Sequence, residues 1–346
     1  KFHSSVARSV QTPARPWKLP MRSLDGNLWE HDIVANVAFH PRKCQPSSQK
    51  GADGCGWTDG EVAASDGTRI AYRLYTSSRA MSAPKPLVLV YFHANAELCT
   101  DLEDDVSHFY ECGFHALLCP EFRGYGWSGG KPQLGLLCPD AASVVEGVPD
   151  ILSQAGIQAE PSLVVHGRSL GSACAVHLAS RYDDRVSALV VESGVMSLLE
   201  LPTVRQLGLM MPEMLRKLSL QPCPLTTLEE IRKVKAPTLI IHGEQDEISP
   251  VEQAVSAHRA CGSAVKKLVR FPRCNHNNVR VSARKDYYSE FRLVCQVVSS
   301  GIPPEALLQA DRESGLLGLV SGALRCFPGM RRCLAGTEEL VEGDHP

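Results

Sequence analysis

Short apolar runs recur along the middle of the chain, each bounded by turn-forming residues. "RIAYRLYT" (69–76) alternates polar and apolar positions and predicts a half-buried strand. "PLVLVYF" (86–92), "FHALLC" (114–119), "SLVVHG" (162–167), "ALVVES" (188–193) and "PTLIIHG" (237–243) are continuous and rich in β-branched residues, as central strands buried on both faces are. "VKKLVRF" (265–271) is a last strand candidate. Between these runs the apolar spacing predicts helices near 101–112, 139–155, 170–181, 250–261 and 282–298. Strand and helix in alternation call for one mostly parallel sheet with helices on both faces. Two stretches break the rhythm. Residues 43–60, "KCQPSSQKGADGCGWTDG", read as a loop. Residues 194–235 show irregular helical periodicity and hold four of the seven methionines. They predict an insertion, either a lid over an apolar pocket, to which adaptable methionine is suited, or a plain packing element.

The organisation that follows is a leader over 1–32, one domain over 33–298 carrying the 194–235 lid insertion, and an extension over 299–346. Residues 1–24 hold Lys1, Arg8, Arg15, Lys18 and Arg22 without an acid, a composition shared by transit peptides. Prolines at 13, 16 and 20 argue against a helix there, so a disordered leader is expected, with organelle targeting as the alternative. In the extension, "LLGLVSGALRCF" (316–327), close to Arg331, Arg332 and Cys333, is read as a docked terminal helix or as a peripheral membrane contact. No run of eighteen apolar residues occurs, and no transmembrane helix is expected.

Composition narrows the function classes. With 44% hydrophobic residues the chain can bury a sizeable core. Its 36 Lys and Arg against 38 Asp and Glu offer no basic footprint for nucleic acid. The thirteen cysteines are odd in number and include no C-x-x-C pair, which points to thiols in a reducing, intracellular and cytoplasmic setting rather than to a disulfide scaffold or a zinc site.

Gly167-Arg168-Ser169-Leu170-Gly171 joins the end of a buried run to a helical pattern, and G-x-S-x-G at such a junction lifts a serine onto a sharp elbow. A serine hydroxyl needs a base, and the base needs a carboxylate to orient it, in the chain order Ser, acid, His. Asp246 follows Gly243 by three positions, and His276 lies thirty residues further on in a polar loop. Ser169, Asp246 and His276 therefore each follow a strand end, in the required order. Glu192 is the competing acid, with hydrogen bonds to loop amides as its ordinary role. The amide of Leu170 and that of Asn95 in "YFHANAE" are the candidate oxyanion donors. His93, His166 and His242 also close apolar runs, but their flanks fit histidines bonded to backbone better than a metal site. "FRGYGWSGGKP" (122–132) lacks the phosphate-loop pattern and reads as a tight loop with Tyr125 and Trp127 as wall or packing residues.

These segments resemble the α/β-hydrolase superfamily, and within it the small serine aminopeptidase-like hydrolases with a short lid. The likeness covers residues 33–298 through "FHPR" (39–42), "YFHANAE" (91–97), "FRGYGWSGG" (122–130), "HGRSLGS" (166–172), "VESG" (191–194), "PTLIIHGEQDEISP" (237–250) and "CNHNN" (274–278). It implies an α/β-hydrolase fold with Ser169 as nucleophile, Asp246 as triad acid, His276 as base and the Asn95 and Leu170 amides as oxyanion hole. It implies no cofactor, and a small-molecule or acylated substrate cleaved at an ester, thioester or amide. Two positions depart from the family's pattern. Ala94 stands where glycine is usual, so its methyl tilts the oxyanion loop if that position needs φ > 0. Asn277 stands where aspartate often follows the histidine. A catalytically silent binding protein on the same fold is the alternative that Ala94 would favour, and the shared fold leaves esterase, thioesterase and peptidase chemistry open.

Overall fold

The computed structural model describes residues 26–50 and 55–300. Nine strands form one sheet: β1 (Ser48–Lys50), β2 (Gly56–Ala63), β3 (Arg69–Thr76), β4 (Leu87–Phe92), β5 (Ala116–Pro120), β6 (Ser162–Arg168), β7 (Val186–Glu192), β8 (Thr238–Gly243) and β9 (Lys266–Phe271). Their order across the sheet is β1-β2-β3-β5-β4-β6-β7-β8-β9, antiparallel through β3 and its pairing with β5, and parallel from there to β9. The helices are α1 (Asp32–Ala38), α2 (Val106–Cys112), α3 (Leu137–Gln154), α4 (Gly171–Arg181), α5 (Pro202–Met210), α6 (Pro212–Ser219), α7 (Thr227–Glu230), α8 (Glu252–Ala260), α9 (Val279–Ser282) and α10 (Arg284–Ser300).

The continuous apolar runs are explained by two cores. Successive side chains of a strand point to opposite faces. Val88, Val90 and Phe92 of β4 pack with Val145 of α3 and Val176 of α4. Their neighbours Leu87, Leu89 and Tyr91 pack with Phe109 of α2 and Phe291 of α10. Cys99, Cys119 and Cys174 are buried here as small apolar side chains.

Three expectations are corrected. β3 is buried along Ile70–Tyr75 rather than half-buried. Its polar position Arg73 is covered because Asp59 of β2 accepts from the guanidinium at 2.7 Å and the Trp57 ring lies 5.0 Å from it. The loop expected over 43–60 contains β1 and the start of β2. β2 has no apolar run of its own and is held by pairing with β3 along its whole length; at Gly60 a Cβ would stand 2.3 Å from the Tyr72 hydroxyl. The leader expected to reach residue 32 stops short of that: Leu28 and Trp29 are buried, the Leu28 amide donates to Gln221 Oε1 at 2.8 Å, and α1 begins at Asp32. Residues 1–25 and 301–346, including the 316–327 segment, lie outside the described residues.

The 194–235 insertion carries α5, α6 and α7. Met196, Met214, Leu218 and Leu225 join the core on the α3 and α4 side, while Leu209, Met210 and Leu220 are exposed. No helix among the described residues is long and apolar enough to cross a membrane.

Candidate active site

Ser169 sits between the end of β6 and the start of α4 with φ +51°, a left-handed backbone that few residues other than glycine adopt. Surrounding hydrogen bonds hold it there. Its amide donates to the Glu192 carbonyl at 2.9 Å, and its carbonyl accepts from the Ser172 hydroxyl at 2.6 Å. The two glycines of the motif serve close approach rather than a positive φ. A Cβ at Gly167 would stand 2.4 Å from the Gly171 carbonyl oxygen, and one at Gly171 would stand 2.2 Å from that of Phe92. Strand β6, helix α4 and the end of β4 thus meet backbone to backbone beneath the serine.

The loops after β8 and β9 bring the other two residues to it. His276 Nε2 lies 2.9 Å from Ser169 Oγ, and His276 Nδ1 lies 2.7 Å from Asp246 Oδ2. With the proton on Nδ1 and donated to the carboxylate, Nε2 is free to accept from the serine hydroxyl. Asp246 Oδ1 in turn accepts from the amides of Ile248 and Ser249 at 3.0 and 2.8 Å, which fixes the carboxylate in its turn. Burial alone would raise the Asp246 carboxyl, but hydrogen bonds from His242 and His276 outweigh it and hold it below the usual carboxylate range. The structure thus brings Ser169, His276 and Asp246 into one hydrogen-bonded line.

Glu192 is not part of that line, and its carboxylate bonds no loop amide among the described residues. Its oxygens accept from His166 Nε2 at 3.1 Å, Arg168 Nε at 3.2 Å and the Tyr287 hydroxyl at 2.7 Å. Burial would raise this carboxyl too; the His166 hydrogen bond, Arg280 and Arg168 overcome it and lower the pKa from its ordinary 4.5. A carboxyl lowered on folding lends stability that is complete above its unfolded value and is lost as the pH falls through the folded one. The gap in melting temperature between wild type and Glu192→Gln is therefore expected to be full well above pH 4.5 and to narrow progressively as the pH falls below it. A gap unchanged on acidification would mean that the ionised carboxylate contributes nothing.

On the oxyanion side, Asn95 and Leu170 occupy the turn after β4 and the residue after the serine. Neither amide donates a hydrogen bond among the described residues, so both remain available to a ligand. The Asn95 side chain anchors its turn: Nδ2 donates to the Ala38 carbonyl at 2.9 Å, and Oδ1 accepts from the Tyr125 hydroxyl at 2.6 Å and the His40 amide at 2.9 Å. Tyr125 is thus a buried prop for this turn. Ala94 does not take a positive φ; the left-handed residue of the turn is Ala96, at φ +65°. The methyl that replaces glycine at 94 therefore meets no backbone strain.

His93, His166 and His242 do not converge. His93 Nδ1 bonds the Ala94 carbonyl at 2.8 Å and His242 Nε2 the Ser249 carbonyl at 2.7 Å, backbone partners as expected; His93 Nε2 also pairs with Glu121 at 3.2 Å, and His166 pairs with Glu192, a carboxylate where a backbone partner was expected. No group of three His, Cys, Asp or Glu side chains among the described residues is arranged to hold a metal ion. An apolar cavity of about 50 Å³ opens between the start of β8, β9 and α10, lined by Pro237, Leu239, Val265 and Val294. It lies at the amino-terminal edge of these parallel strands, opposite the edge that carries Ser169, Asp246 and His276.

The sequence reading missed Arg168 as a structural centre and Glu97 as its partner. One signal was available: Arg168 and Glu192 end neighbouring, otherwise apolar parallel strands and stand in register.

Comparison with known proteins agrees with this architecture. The model of the prolyl oligopeptidase family matches residues 140–296. The protein bem46 of Schizosaccharomyces pombe is 33% identical over 210 residues, 60% of this chain and 66% of that protein. The mouse alpha/beta hydrolase domain-containing protein 17C is 26% identical over 199 residues, 57% of this chain and 56% of that protein. This chain spans somewhat less than two thirds of the length of these relatives. The Pyrococcus furiosus esterase Pf2001 superposes with a TM-score of 0.56 at 17% identity, covering 73% of this chain and 98% of the esterase, a likeness of fold alone. A mostly parallel sheet covered by helices, with these relatives, defines a hydrolase-type α/β protein. The chain belongs to the α/β-hydrolase superfamily.

Proposed function

We propose that this protein is a serine hydrolase that cleaves a carboxylic ester, thioester or amide through an acyl-enzyme. The observation that carries the reading is the continuous hydrogen-bonded line Ser169–His276–Asp246 at 2.9 and 2.7 Å, with the serine raised on a left-handed elbow. Ser169 Oγ attacks the substrate carbonyl carbon while His276 Nε2 takes its proton. The Asn95 and Leu170 amides stabilise the oxyanion, and His276 returns the proton to the leaving alcohol, thiol or amine. Water, deprotonated by the same imidazole, then attacks the ester on Ser169 and releases the acid. Asp246 keeps the proton on Nδ1 and stabilises the imidazolium without itself being protonated. Substrate is a small molecule or an acylated partner, and the α5–α6 part of the insertion serves as the lid over its acyl side. The reading as a silent binding protein rested on strain at Ala94, where the backbone has no positive φ.

The test is to capture the intermediate. Protein mixed with a p-nitrophenyl acyl ester and quenched in acid within the burst phase is expected to gain one acyl group, which mass spectrometry of peptides maps to Ser169. Turnover with no acyl adduct on Ser169 in the burst would overturn the proposal.

A further inference from the structure

Arg168, the residue before Ser169, is buried to 6% exposure, and its guanidinium divides its donors among three parts of the site. Nε donates to Glu192 Oε1 at the end of β7, 3.2 Å away. Nη1 forms a close ion pair with Glu97 of the oxyanion turn. Nη2 donates to the backbone carbonyl of His276 itself at 2.8 Å and lies 3.4 Å from Asn277 Oδ1. Glu97 passes the constraint on, because its second oxygen accepts from the Ala94 amide at 2.8 Å, one residue before the Asn95 donor. A second arginine reinforces the frame: Arg280 of α9 donates to the Tyr91 hydroxyl at 2.8 Å and to Asp105 at 3.0 Å, and Tyr91 donates to Glu97 at 3.3 Å.

We propose that Arg168 is a positioning residue that locks the base loop and the oxyanion turn to the nucleophile strand, so that the three parts of the reacting geometry are set by one planar group. The proposal rests on the serine-hydrolase reading. Its physical basis is the fork of the guanidinium. Three donors in one plane fix three acceptors relative to one another, whereas an ammonium on a flexible stem offers one point of contact. Arg168 touches neither substrate nor the reacting atoms, and it acts through His276 and Ala94. Asn277 gives the same guanidinium a neutral acceptor beside the two carboxylates.

The test uses the full chain, a fluorophosphonate probe to count and time reactive sites, and a p-nitrophenyl ester for turnover. Arg168→Lys keeps the charge against Glu97 and Glu192 but cannot also hold the His276 carbonyl. It is expected to lower kcat and the rate of phosphonylation per titratable site by about a hundredfold, with KM within about threefold, as misplacement of catalytic groups by about 1 Å does. The normalisation per site matters, because a variant that merely folds less well loses sites and not rate at each site. A per-site rate within threefold of wild type would overturn the proposal. If Arg168→Lys yields no folded protein, Glu97→Gln carries the test, since it removes one ion pair, leaves Glu192 on the guanidinium and alters a partly exposed side chain. At least a tenfold loss of per-site rate is then expected, and a wild-type rate overturns the coupling. Failure of the underlying reading has a different signature: wild type itself would take no probe on Ser169.

Discussion

Ser169→Ala is expected to abolish labelling by fluorophosphonates and to lower kcat by roughly 10⁶-fold, the scale on which removal of the nucleophile acts when a triad works as a unit. The fold should be untouched. Among the described residues the Ser169 hydroxyl bonds only His276, and the backbone bonds to Glu192 and Ser172 that hold the elbow do not depend on the side chain. Alanine must still adopt the left-handed backbone at φ +51°, so a loss of about 1 kcal/mol in stability is the most that strain should add. The comparison to make is probe labelling beside thermal melting, on wild type and variant in parallel. Labelling that survives in the variant would move the nucleophile elsewhere. Ser193 would then be the first place to look, since its hydroxyl is buried without a partner among the described residues and its backbone is also left-handed, at φ +46°.

The second large effect is expected from Asp246→Asn, a loss of about 10⁴-fold in kcat, with some loss of stability because the ionised carboxylate held by His242 and His276 is removed. An asparagine can keep its carbonyl oxygen on the Ile248 and Ser249 amides, where Asp246 Oδ1 now accepts, so the turn after β8 survives. What faces His276 Nδ1 is then an NH₂ group that donates. The imidazole must move its remaining proton to Nε2, where it points at the serine hydroxyl and can no longer receive a proton from it. A steady-state assay on a p-nitrophenyl ester, with melting as the control, separates the outcomes. Activity within tenfold of wild type would mean that another acid orients the base, and the Glu192 position would have to be reopened despite its bonds to His166, Arg168 and Tyr287.

The central strands were legible in the sequence because burial on both faces leaves an unbroken apolar run, as in β4, β6, β7 and β8. β1 and β2 were not, because strands at or next to the sheet edge with half-exposed residues and four glycines in the segment look like a loop until a partner is known. β3 misled for a related reason: Arg73 reads as a solvent-facing position in the alternation, and only Asp59 on the neighbouring strand explains its burial. For the candidate site, chain order and strand ends were enough to bring Ser169, Asp246 and His276 forward. The side chains that support them were hidden, since Arg168, Glu97, Glu192 and Tyr125 act through contacts between segments 24 to 108 residues apart, a separation that carries no local pattern. The Ala94 departure shows the reverse case, a local cue whose meaning depended on a backbone angle that composition does not reveal.

The separation between nucleophile and base also has a consequence in time. Ser169 and His276 stand 107 residues apart, and the base lies on the loop that follows the last strand to join the sheet. At synthesis rates of roughly 5–20 residues per second, His276 leaves the ribosome about 5–20 s after the serine. Throughout that interval the nascent chain holds a serine elbow with nothing to take its proton. On the proposed serine-hydrolase reading, reactivity is withheld until β9 pairs with β8, so that pairing doubles as the step that arms the protein.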